Sequence, residues 1–351
     1  MIITTLTCMC VDIFDNTIMP GGESLNFAAT ISRLTDAKVY IIGAVGNDSY
    51  GKTVLDSIKD FNIDKTHIRT ENGDTASNRT YLTPDGDRYY KDDSWNGGVF
   101  SSFALSASDR ELLHSSDMVH TTFSGPNFND VIDCCREKRF PLSVDFDICR
   151  DFDTIEKYLD CISLLFISGD EPTLEKAKQL SSKYPDTVFI VTLGENGSTA
   201  FSKGTAYHCA AAEVSEVTDT TGCGDSYQAG FIASYLADGN IETAMSKGSQ
   251  TAAQTLSFIG VFRYLNTAEK QKLFRRHYFY MLISTDTHLP PYSFSLSSVG
   301  CVKPAYSVYL PLITALTPLS STVSNAPSGI LMLIVLLSPS NRETRSNAQR
   351  L

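Results

Sequence analysis

The apolar residues of the first 263 positions recur in short blocks with two different spacings. The segment KVYIIGAVG (38–46) is a β-branched run that ends in glycines, and KTVLDSIKDF (52–61) then places its apolar residues at helical spacing. Three later runs, FPLSVDF, LLFISG and TVFIVTLG, are continuously apolar rather than alternating. Strands of that kind are covered on both faces, so the pattern predicts a doubly wound α/β domain with a mostly parallel sheet.

One stretch interrupts this rhythm. In NRTYLTPDGDRYYKDD (78–93) the turn residues Pro84-Asp85-Gly86 separate two arms that contain aromatic residues and Thr, which predicts a β-hairpin. A hairpin inside an α/β chain is usually an excursion from the main sheet. We expect residues 75–98, with residues 10–20, to form a small lid over a cleft.

The pattern is lost in residues 264–351, for which we predict an irregular tail rich in Ser, Thr, Pro and Leu. From Tyr278 onward the chain holds seven of its thirteen prolines. The apolar run 330–337 is far shorter than the roughly 20 residues that span a bilayer. We expect the catalytic residues to lie in the domain formed by residues 1–263.

Charge and cysteine content narrow the class of protein. The formal net charge is −11 and the pI is about 5.0, whereas a nucleic-acid surface needs a basic stripe. The nine cysteines have neither metal-ligand spacing nor a disulfide pattern, and the N-terminus has no basic segment typical of a secretory signal. These features predict a cytoplasmic protein with reduced thiols that binds neither nucleic acid nor membrane.

The stretch DTTGCGDSYQAGF (219–231) carries the candidate chemistry. A turn flanked by glycines opens a helix there, and the N–H groups at a helix start form an anion site that glycines let a phosphate approach closely. Asp225 lies at the mouth of that site, where a carboxylate suits the removal of a proton from an attacking hydroxyl. The alternative is that Asp225 only caps the helix.

The same stretch resembles the Asp-Thr-x-Gly-Ala-Gly-Asp signature of the ribokinase-like (PfkB) carbohydrate kinases, with Cys223 in place of Ala. A second signature of that family resembles GGESLNFAATISRL (21–34) followed by GAVGNDSYG (43–51). The resemblance covers roughly residues 1–263. It implies a ribokinase-like fold with a small β-sheet lid, ATP and Mg²⁺ as cosubstrates, and phosphorylation of a sugar hydroxyl.

The resemblance also implies roles for individual residues. Asp225 is expected to be the general base. The resemblance assigns three further groups of residues: an anion hole at Gly222, Cys223 and Gly224; a sugar site at Asp12, Gly21, Gly22 and Asn26; and a nucleotide site at Thr192, Gly194, Gly197, Ala252 and Ala253. Glu171 is expected near Mg²⁺ through water, and Asp219 and Thr221 near a monovalent cation such as K⁺.

Two departures from the family pattern stand out. Ser168 occupies the Asn position of the family's Asn-x-x-Glu motif, although Glu171 keeps the Glu position. Cys223 at a helix start is expected to be a more acidic thiol than a buried cysteine; alternatively, it is a small residue that fits where Ala does.

A competing motif lies at Gly46–Thr53. The segment GNDSYGKT satisfies the expression for a P-loop between a strand and a helix, which would make the chain a P-loop NTPase. Asp48 would repel the phosphates that such a loop holds, and Tyr50 is bulky where the backbone must approach them. The PfkB interpretation makes Lys52 an ordinary surface residue instead.

Several stretches resemble the bacterial fructoselysine 6-kinases within the family, including VTLGENGS (191–198) and the lid pattern around Arg88 and Asp92. This implies transfer of the γ-phosphoryl of ATP to the 6-hydroxyl of a fructosamine. Arg88 and Asp92 are then candidate substrate contacts, or simply solvated hairpin charges. A kinase of a free sugar such as fructose or ribose, and a catalytically silent sugar-binding protein, are the alternatives. Because lids often pair between subunits in this family, the resemblance also implies a homodimer.

Overall fold

A computed structural model describes residues 1–14, 17–82, 88–91, 93–214 and 217–257, and the backbone of four strands between 294 and 318. Of residue 82 and residues 88–90 only the backbone is described. The chain divides into two compact units, Met1–Leu265 and Asn266–Leu351. In the second unit the described strands form two antiparallel pairs: β16 (Phe294–Leu296) with β19 (Leu316–Pro318), and β17 (Val299–Val302) with β18 (Leu310–Ile313).

The first unit contains fifteen strands and eight α-helices among its described residues. The strands are β1 (Ile2–Leu6), β2 (Cys10–Phe14), β3 (Thr17–Gly21), β4 (Lys38–Ile41), β5 (Gly43–Gly46), β6 (Ile63–Asp64), β7 (Ile68–Glu71), β8 (Ala76–Leu82), β9 (Arg88–Tyr90), β10 (Met118–Thr122), β11 (Leu142–Asp145), β12 (Leu164–Ser168), β13 (Val188–Thr192), β14 (Ser198–Ser202) and β15 (Thr205–Cys209). The helices are α1 (Glu23–Leu34), α2 (Ser49–Ser57), α3 (Ala107–Ser115), α4 (Phe128–Glu137), α5 (Phe152–Glu156), α6 (Glu171–Lys183), α7 (Cys223–Asp238) and α8 (Ile241–Thr255).

Nine strands form the central sheet in the order β15-β14-β13-β12-β11-β10-β1-β4-β6. Every pair from β13 to β6 is parallel, and only the pairs β13–β14 and β14–β15 at one edge are antiparallel. The predicted mostly parallel, doubly wound sheet is therefore confirmed.

Successive side chains of the central strands enter two separate cores. Leu164 and Phe166 of β12 pack with helices α1, α7 and α8, whereas Leu165 and Ile167 pack on the other face with α3, α4 and α6. Because both faces are covered, β12 and β13 each contain four successive apolar residues rather than one at every second position. This is the physical origin of the continuous apolar runs in the sequence.

The lid is a separate four-stranded sheet in the order β3-β2-β8-β9. Strands β8 and β9 are antiparallel with Thr80 opposite Tyr90, as the hairpin prediction requires. The predicted turn at 84–86 lies outside the described residues. Strands β2 and β8 are parallel with Asp12 opposite Asn78, so the lid carries two polar side chains side by side.

Helices α1 and α7 both begin directly after a glycine with positive φ. Gly22 has φ +100°, and a Cβ there would lie 2.4 Å from the carbonyl oxygen of Cys8. Gly222 precedes α7 with φ +67°. L-residues with a side chain rarely adopt such backbone angles, so glycine allows each chain reversal into the helix. No helix in the described part of the chain is both long and apolar enough to cross a bilayer.

Candidate active site

A cavity of about 690 Å³ lies between the lid and the carboxyl ends of the parallel strands. Ligands of open α/β sheets commonly bind at that edge. Six of the predicted site residues line the cavity: Asp12, Gly22, Asn26, Gly222, Gly224 and Asp225. The fold thus brings together the two signatures that are far apart in the sequence.

A direct hydrogen bond joins the two signatures. Asn26 Nδ2 of α1 donates to Asp225 Oδ2 of α7 at 2.7 Å, across 199 positions of the chain. Asn26 is only 4% exposed, which fixes its side chain and therefore orients the carboxylate. The N-cap of α7 is Gly222, and Asp225 is the third residue of the helix. Asp225 is therefore not the N-cap residue of α7.

The start of α7 fits a phosphate group. Gly222 has no side chain to cap the helix, so no N-cap side chain occupies its first N–H groups, although the Cys223 N–H donates to the carbonyl oxygen of Thr220 at 3.2 Å. Gly224 is exposed, and a Cβ on it would meet no atom within 4 Å. The terminus therefore combines exposed backbone, open space and the positive end of the helix dipole, as an anion site requires.

Cys223 does not behave as the sequence predicted. Burial, together with the negative charge of Asp225, raises the pKa of its thiol to about 11. Its sulfur packs against α8, 3.9 Å from the carbonyl oxygen of Ala252. The expected acidification by the helix terminus is outweighed, so the prediction of an acidic thiol was wrong and Cys223 is a small packing residue.

The sugar-binding candidates form a compact group on the lid. Asp12 of β2 is 4% exposed, and its Oδ1 accepts a hydrogen bond of 3.1 Å from the Thr80 hydroxyl. Gly21 lies against the same carboxylate, since a Cβ there would be 2.5 Å from Asp12 Oδ2. Asp92 lies outside the described residues, and only the backbone of Arg88 is described, in β9.

The nucleotide-binding candidates lie at the end of β13 and in α8, and none of them lines the described cavity. Thr192 is the last residue of β13, and Gly194 (φ +59°) and Gly197 (φ +83°) form the turn that follows. A Cβ on Gly197 would lie 2.1 Å from the carbonyl oxygen of Cys209, so this turn needs glycine. Ala252 is buried in α8 and Ala253 follows it.

The cation candidates occupy two different environments. Glu171 is exposed and is the first residue of α6, two positions after the glycine that follows β12. Asp219 is fully buried, and its Oδ1 accepts hydrogen bonds from the Thr221 amide at 2.8 Å and hydroxyl at 2.5 Å. No group of three or more His, Cys, Asp or Glu residues in the described part of the chain is arranged to hold a metal ion.

The predicted site did not include three carboxyl groups that line the cavity: Glu23, Asp145 and Asp147. Burial raises the pKa of Glu23 to about 8, helped by the charges of Asp225 and Asp145, although a hydrogen bond with Thr122 lowers it. Burial likewise raises the pKa of Asp145 to about 6. The available signals were their positions, directly after the glycine pair and at the carboxyl end of a strand.

Asp145 is held by a buried polar chain. Gln228 Nε2 of α7 donates to Asp145 Oδ2 at 2.6 Å, which lowers the pKa of the carboxyl against the effect of burial.

His120 of β10 is fully buried, stacks on Phe27 at 4.1 Å between ring centroids, and shares a hydrogen bond of 3.0 Å with Ser143. Burial lowers the pKa of His120 to about 3, so the imidazole is neutral.

The P-loop alternative does not fit the structure. Asp48 is the N-cap of α2 and accepts hydrogen bonds from the amides of Gly51 and Thr75, at 2.7 and 2.9 Å. A Cβ on Gly51 would be 2.1 Å from the carbonyl oxygen of Gly46, so the loop is closed on itself. Lys52 is exposed and pairs with Asp56 one turn along the helix. This arrangement leaves no cradle for a phosphate.

Comparison with known proteins gives a consistent family. Residues 12–262 match the profile described as pfkB family carbohydrate kinase. The chain is 32% identical over 265 residues to a fructoselysine 6-kinase of Shigella flexneri, covering 74% of this chain and 99% of that one. It is 28% identical over 253 residues to the fructosamine kinase FrlD of Bacillus subtilis, covering 71% and 87%.

Solved structures support the same fold. A ribokinase of Arabidopsis thaliana, complexed with ribose and ATP, superposes with a TM-score of 0.63 at 18% identity, covering 78% of this chain and 98% of that one. A ribokinase of Thermotoga maritima gives a TM-score of 0.62 at 18% identity, covering 78% and 99%. Fold, site geometry and sequence similarity agree: the chain is a carbohydrate kinase and belongs to the pfkB family.

Proposed function

We propose that the protein transfers the γ-phosphoryl group of ATP to a primary hydroxyl of a ketose-type substrate, the 6-hydroxyl of fructoselysine or another fructosamine. The observation that carries the proposal is Asp225, oriented by Asn26 beside an uncapped helix start in the cavity. The named activities of the Shigella and Bacillus relatives supply the substrate class.

In this reaction Asp225 takes the proton of the substrate hydroxyl while its oxygen attacks the γ-phosphorus. The new oxygen–phosphorus bond forms as the bond to the β-phosphate oxygen breaks, and ADP leaves with that electron pair. The N–H groups of Gly222, Cys223 and Gly224 would stabilise the charge on the transferring group. Asp12 would bind sugar hydroxyls through charge-assisted hydrogen bonds.

Mg²⁺ would neutralise charge on the nucleotide phosphates. Glu171 supplies a carboxylate oxygen, the hard donor that Mg²⁺ prefers, and its exposed position at the start of α6 suits contact through water. Asp219 and Thr221 remain our candidates for a monovalent cation such as K⁺. The nucleotide base is expected between the turn after β13, with Thr192, and α8, with Ala252 and Ala253.

The charge of the cavity favours a fructosamine over a free sugar. Among the described residues that line it, none is Lys, Arg or His, and four are aspartates: Asp12, Asp145, Asp147 and Asp225. A neutral sugar offers only hydroxyls to these groups, whereas a fructosamine also carries ammonium groups. Opposite charges within a partly buried site attract, which favours the cationic substrate.

The test measures phosphorylation of fructoselysine, fructose and ribose with Mg²⁺-ATP, by the wild type and the Asp225→Asn variant. We expect turnover on fructoselysine above both free sugars, and a loss of kcat of about 10²–10⁴-fold in the variant because the base is removed. Asp130→Asn is the matched control, since Asp130 is also the third residue of its helix, α4, outside the cavity.

Each result has a distinct meaning. A preference for fructose or ribose would support the kinase and contradict the fructosamine substrate. Full activity of Asp225→Asn would remove Asp225 as the base. Sugar binding without turnover would favour a silent sugar-binding protein.

We also propose that the kinase acts in the cytoplasm and forms a homodimer through its lid. The eight cysteines of the first unit are all free, as in reducing compartments. Strands β3 and β9 are the outer strands of the lid sheet, and such edges can pair with a second copy.

A further inference from the structure

Glu23 lies beside the candidate base for a geometric reason. It is the first residue of α1, and Asn26, which binds Asp225, follows three positions later. Residues three apart lie on the same face of a helix, so Glu23 and Asn26 face the same cavity. Asn26 Oδ1 is buried without a hydrogen-bond partner among the described residues.

The groups that act on Glu23 come from four neighbouring segments of the chain. They are Asp225 of α7, Asp145 and Asp147 at the end of β11, the hydroxyl of Thr122 in β10, and the thiol of Cys8 before β2. The carboxylates repel a charge on Glu23, and only the Thr122 hydroxyl favours it. No cationic side chain lines this cavity among the residues that are described.

The nucleotide adds to this repulsion. In the proposed reaction the terminal phosphate of ATP approaches the start of α7, within reach of Asp225. An ionised Glu23 would place a further negative charge next to that position. A protonated Glu23 adds no charge and still offers a hydrogen-bond donor.

We propose that Glu23 acts as a protonated carboxyl that limits the negative charge around Asp225, and that its ionisation sets the alkaline limit of the kinase. The inference rests on the proposed function, in which Asp225 is the base. It makes Glu23 a positioning residue for the arriving phosphate. The pKa of about 8 for Glu23 places that limit just above neutral pH.

The first test compares pH profiles of kcat/KM for ATP in the wild type and Glu23→Gln. Gln has the size of Glu and cannot ionise. For the wild type we expect a fall of about tenfold per pH unit above about pH 8, as for the loss of one essential proton. For Glu23→Gln we expect no such fall up to about pH 9. The exposed Glu175→Gln of α6 is the control and should keep the wild-type profile.

A second measurement does not depend on turnover. Trp95 is the only tryptophan of the chain and lines the cavity, so its fluorescence can report binding of Mg²⁺ with the β,γ-imido analogue of ATP. Between pH 7 and pH 9 the protonated fraction of a group with a pKa of about 8 falls about tenfold. We expect the Kd of the wild type to rise by about the same factor, and that of Glu23→Gln to stay constant.

A third variant covers the case in which Glu23→Gln does not fold. Thr122→Val removes the hydroxyl that lowers the pKa of Glu23, so the alkaline limit should move to higher pH. An unchanged limit in either folded variant would overturn the inference. If no sugar is phosphorylated at any pH, the proposed function fails, and the binding measurement still tests Glu23 alone.

Discussion

At the scale of single residues, the site depends on contacts that leave no room for an added atom. Gly21 lies against Asp12, and a methyl group there would be 2.5 Å from its carboxylate. Gly21→Ala should therefore displace Asp12 and weaken a charge-assisted hydrogen bond to the sugar, a contribution of about 1.5–3 kcal/mol. We expect KM for the sugar to rise about tenfold or more, as measured by steady-state kinetics.

Gly239→Ala is the matched control for this change. Gly239 also has little tolerance for a side chain, with φ +69°, but a Cβ there would meet no atom within 4 Å. It ends α7 far along the helix from Asp225, so the control should lower stability and leave KM for the sugar unchanged. An unaltered KM in Gly21→Ala would show that Asp12 does not bind the sugar.

At the same scale, charge states were harder to predict than positions. Asp225 and Asn26 were both assigned from local motifs, and both line the cavity. The pKa of Glu23 depends instead on burial and on carboxylates from two other elements, which no local pattern contains. The sequence left two interpretations of Cys223 open for the same reason, since the helix terminus was visible in the sequence and the burial that raises the pKa of the thiol was not.

At the scale of elements, an ion-pair cluster around the buried Asp109 joins α3 to β7. Asp109 of α3 accepts hydrogen bonds from His67 at 2.7 Å and Arg69 at 3.1 Å, and forms a capping box with Ser106. Asp109→Asn should cost about 2 kcal/mol of unfolding free energy, because it weakens charge-assisted hydrogen bonds to a buried carboxylate. Asp130→Asn, which breaks a surface pair with Arg110, should cost less than about 1 kcal/mol.

The pH dependence of this cluster has a definite sign. Burial alone would raise the pKa of Asp109, but the hydrogen bonds of His67 and Ser106 and the charge of Arg69 hold it below its usual value. The carboxylate therefore stabilises the fold above about pH 4, and that contribution is lost as the pH falls. Urea unfolding followed by circular dichroism should show that the unfolding free energy falls less in acid for Asp109→Asn than for the wild type. Equal losses would contradict the assignment.

The type of each element, helix or strand, was easier to predict from the sequence than its pairing partners in a sheet. Residues 164–167 of β12 are all apolar because helices cover both faces of the strand, so its class was predictable. The hairpin arms β8 and β9 also follow from turn residues. The parallel pairing of β2 with β8 joins segments about 65 positions apart, and no local spacing specifies such a partner.

At the scale of the whole molecule, His120 links the central sheet to the helix layer that contains α1 and α7. It stacks on Phe27 of α1, bonds to Ser143 of β11 and lies near Gln228 of α7. Burial holds the pKa of this imidazole at about 3, below its value of about 6.5 in an unfolded chain. The stability that His120 contributes is therefore complete above about pH 6.5 and is lost as the pH falls toward 3.

We expect the unfolding free energy to fall by about 2 kcal/mol between pH 6.5 and pH 5 from this one group. His120→Gln should remove that part of the acid sensitivity, although the variant is less stable at neutral pH. Urea unfolding at the two pH values measures both effects. His208→Gln is the control, because that ring lies on the edge strand β15 and bonds only to Thr199 among described partners. If the unfolding free energy of His120→Gln fell between pH 6.5 and pH 5 as much as that of the wild type, this account would be contradicted.

The hydrogen bond between Asn26 and Asp225 has a consequence for the newly made protein. Its two partners are synthesised 199 positions apart, and the first signature is complete long before the second leaves the ribosome. Contacts of such separation form late, because the intervening chain must be ordered first. With Asp225 in its proposed role, a nascent chain whose first strands have folded still lacks an oriented base. Phosphoryl transfer then has to await the packing of α7 against α1.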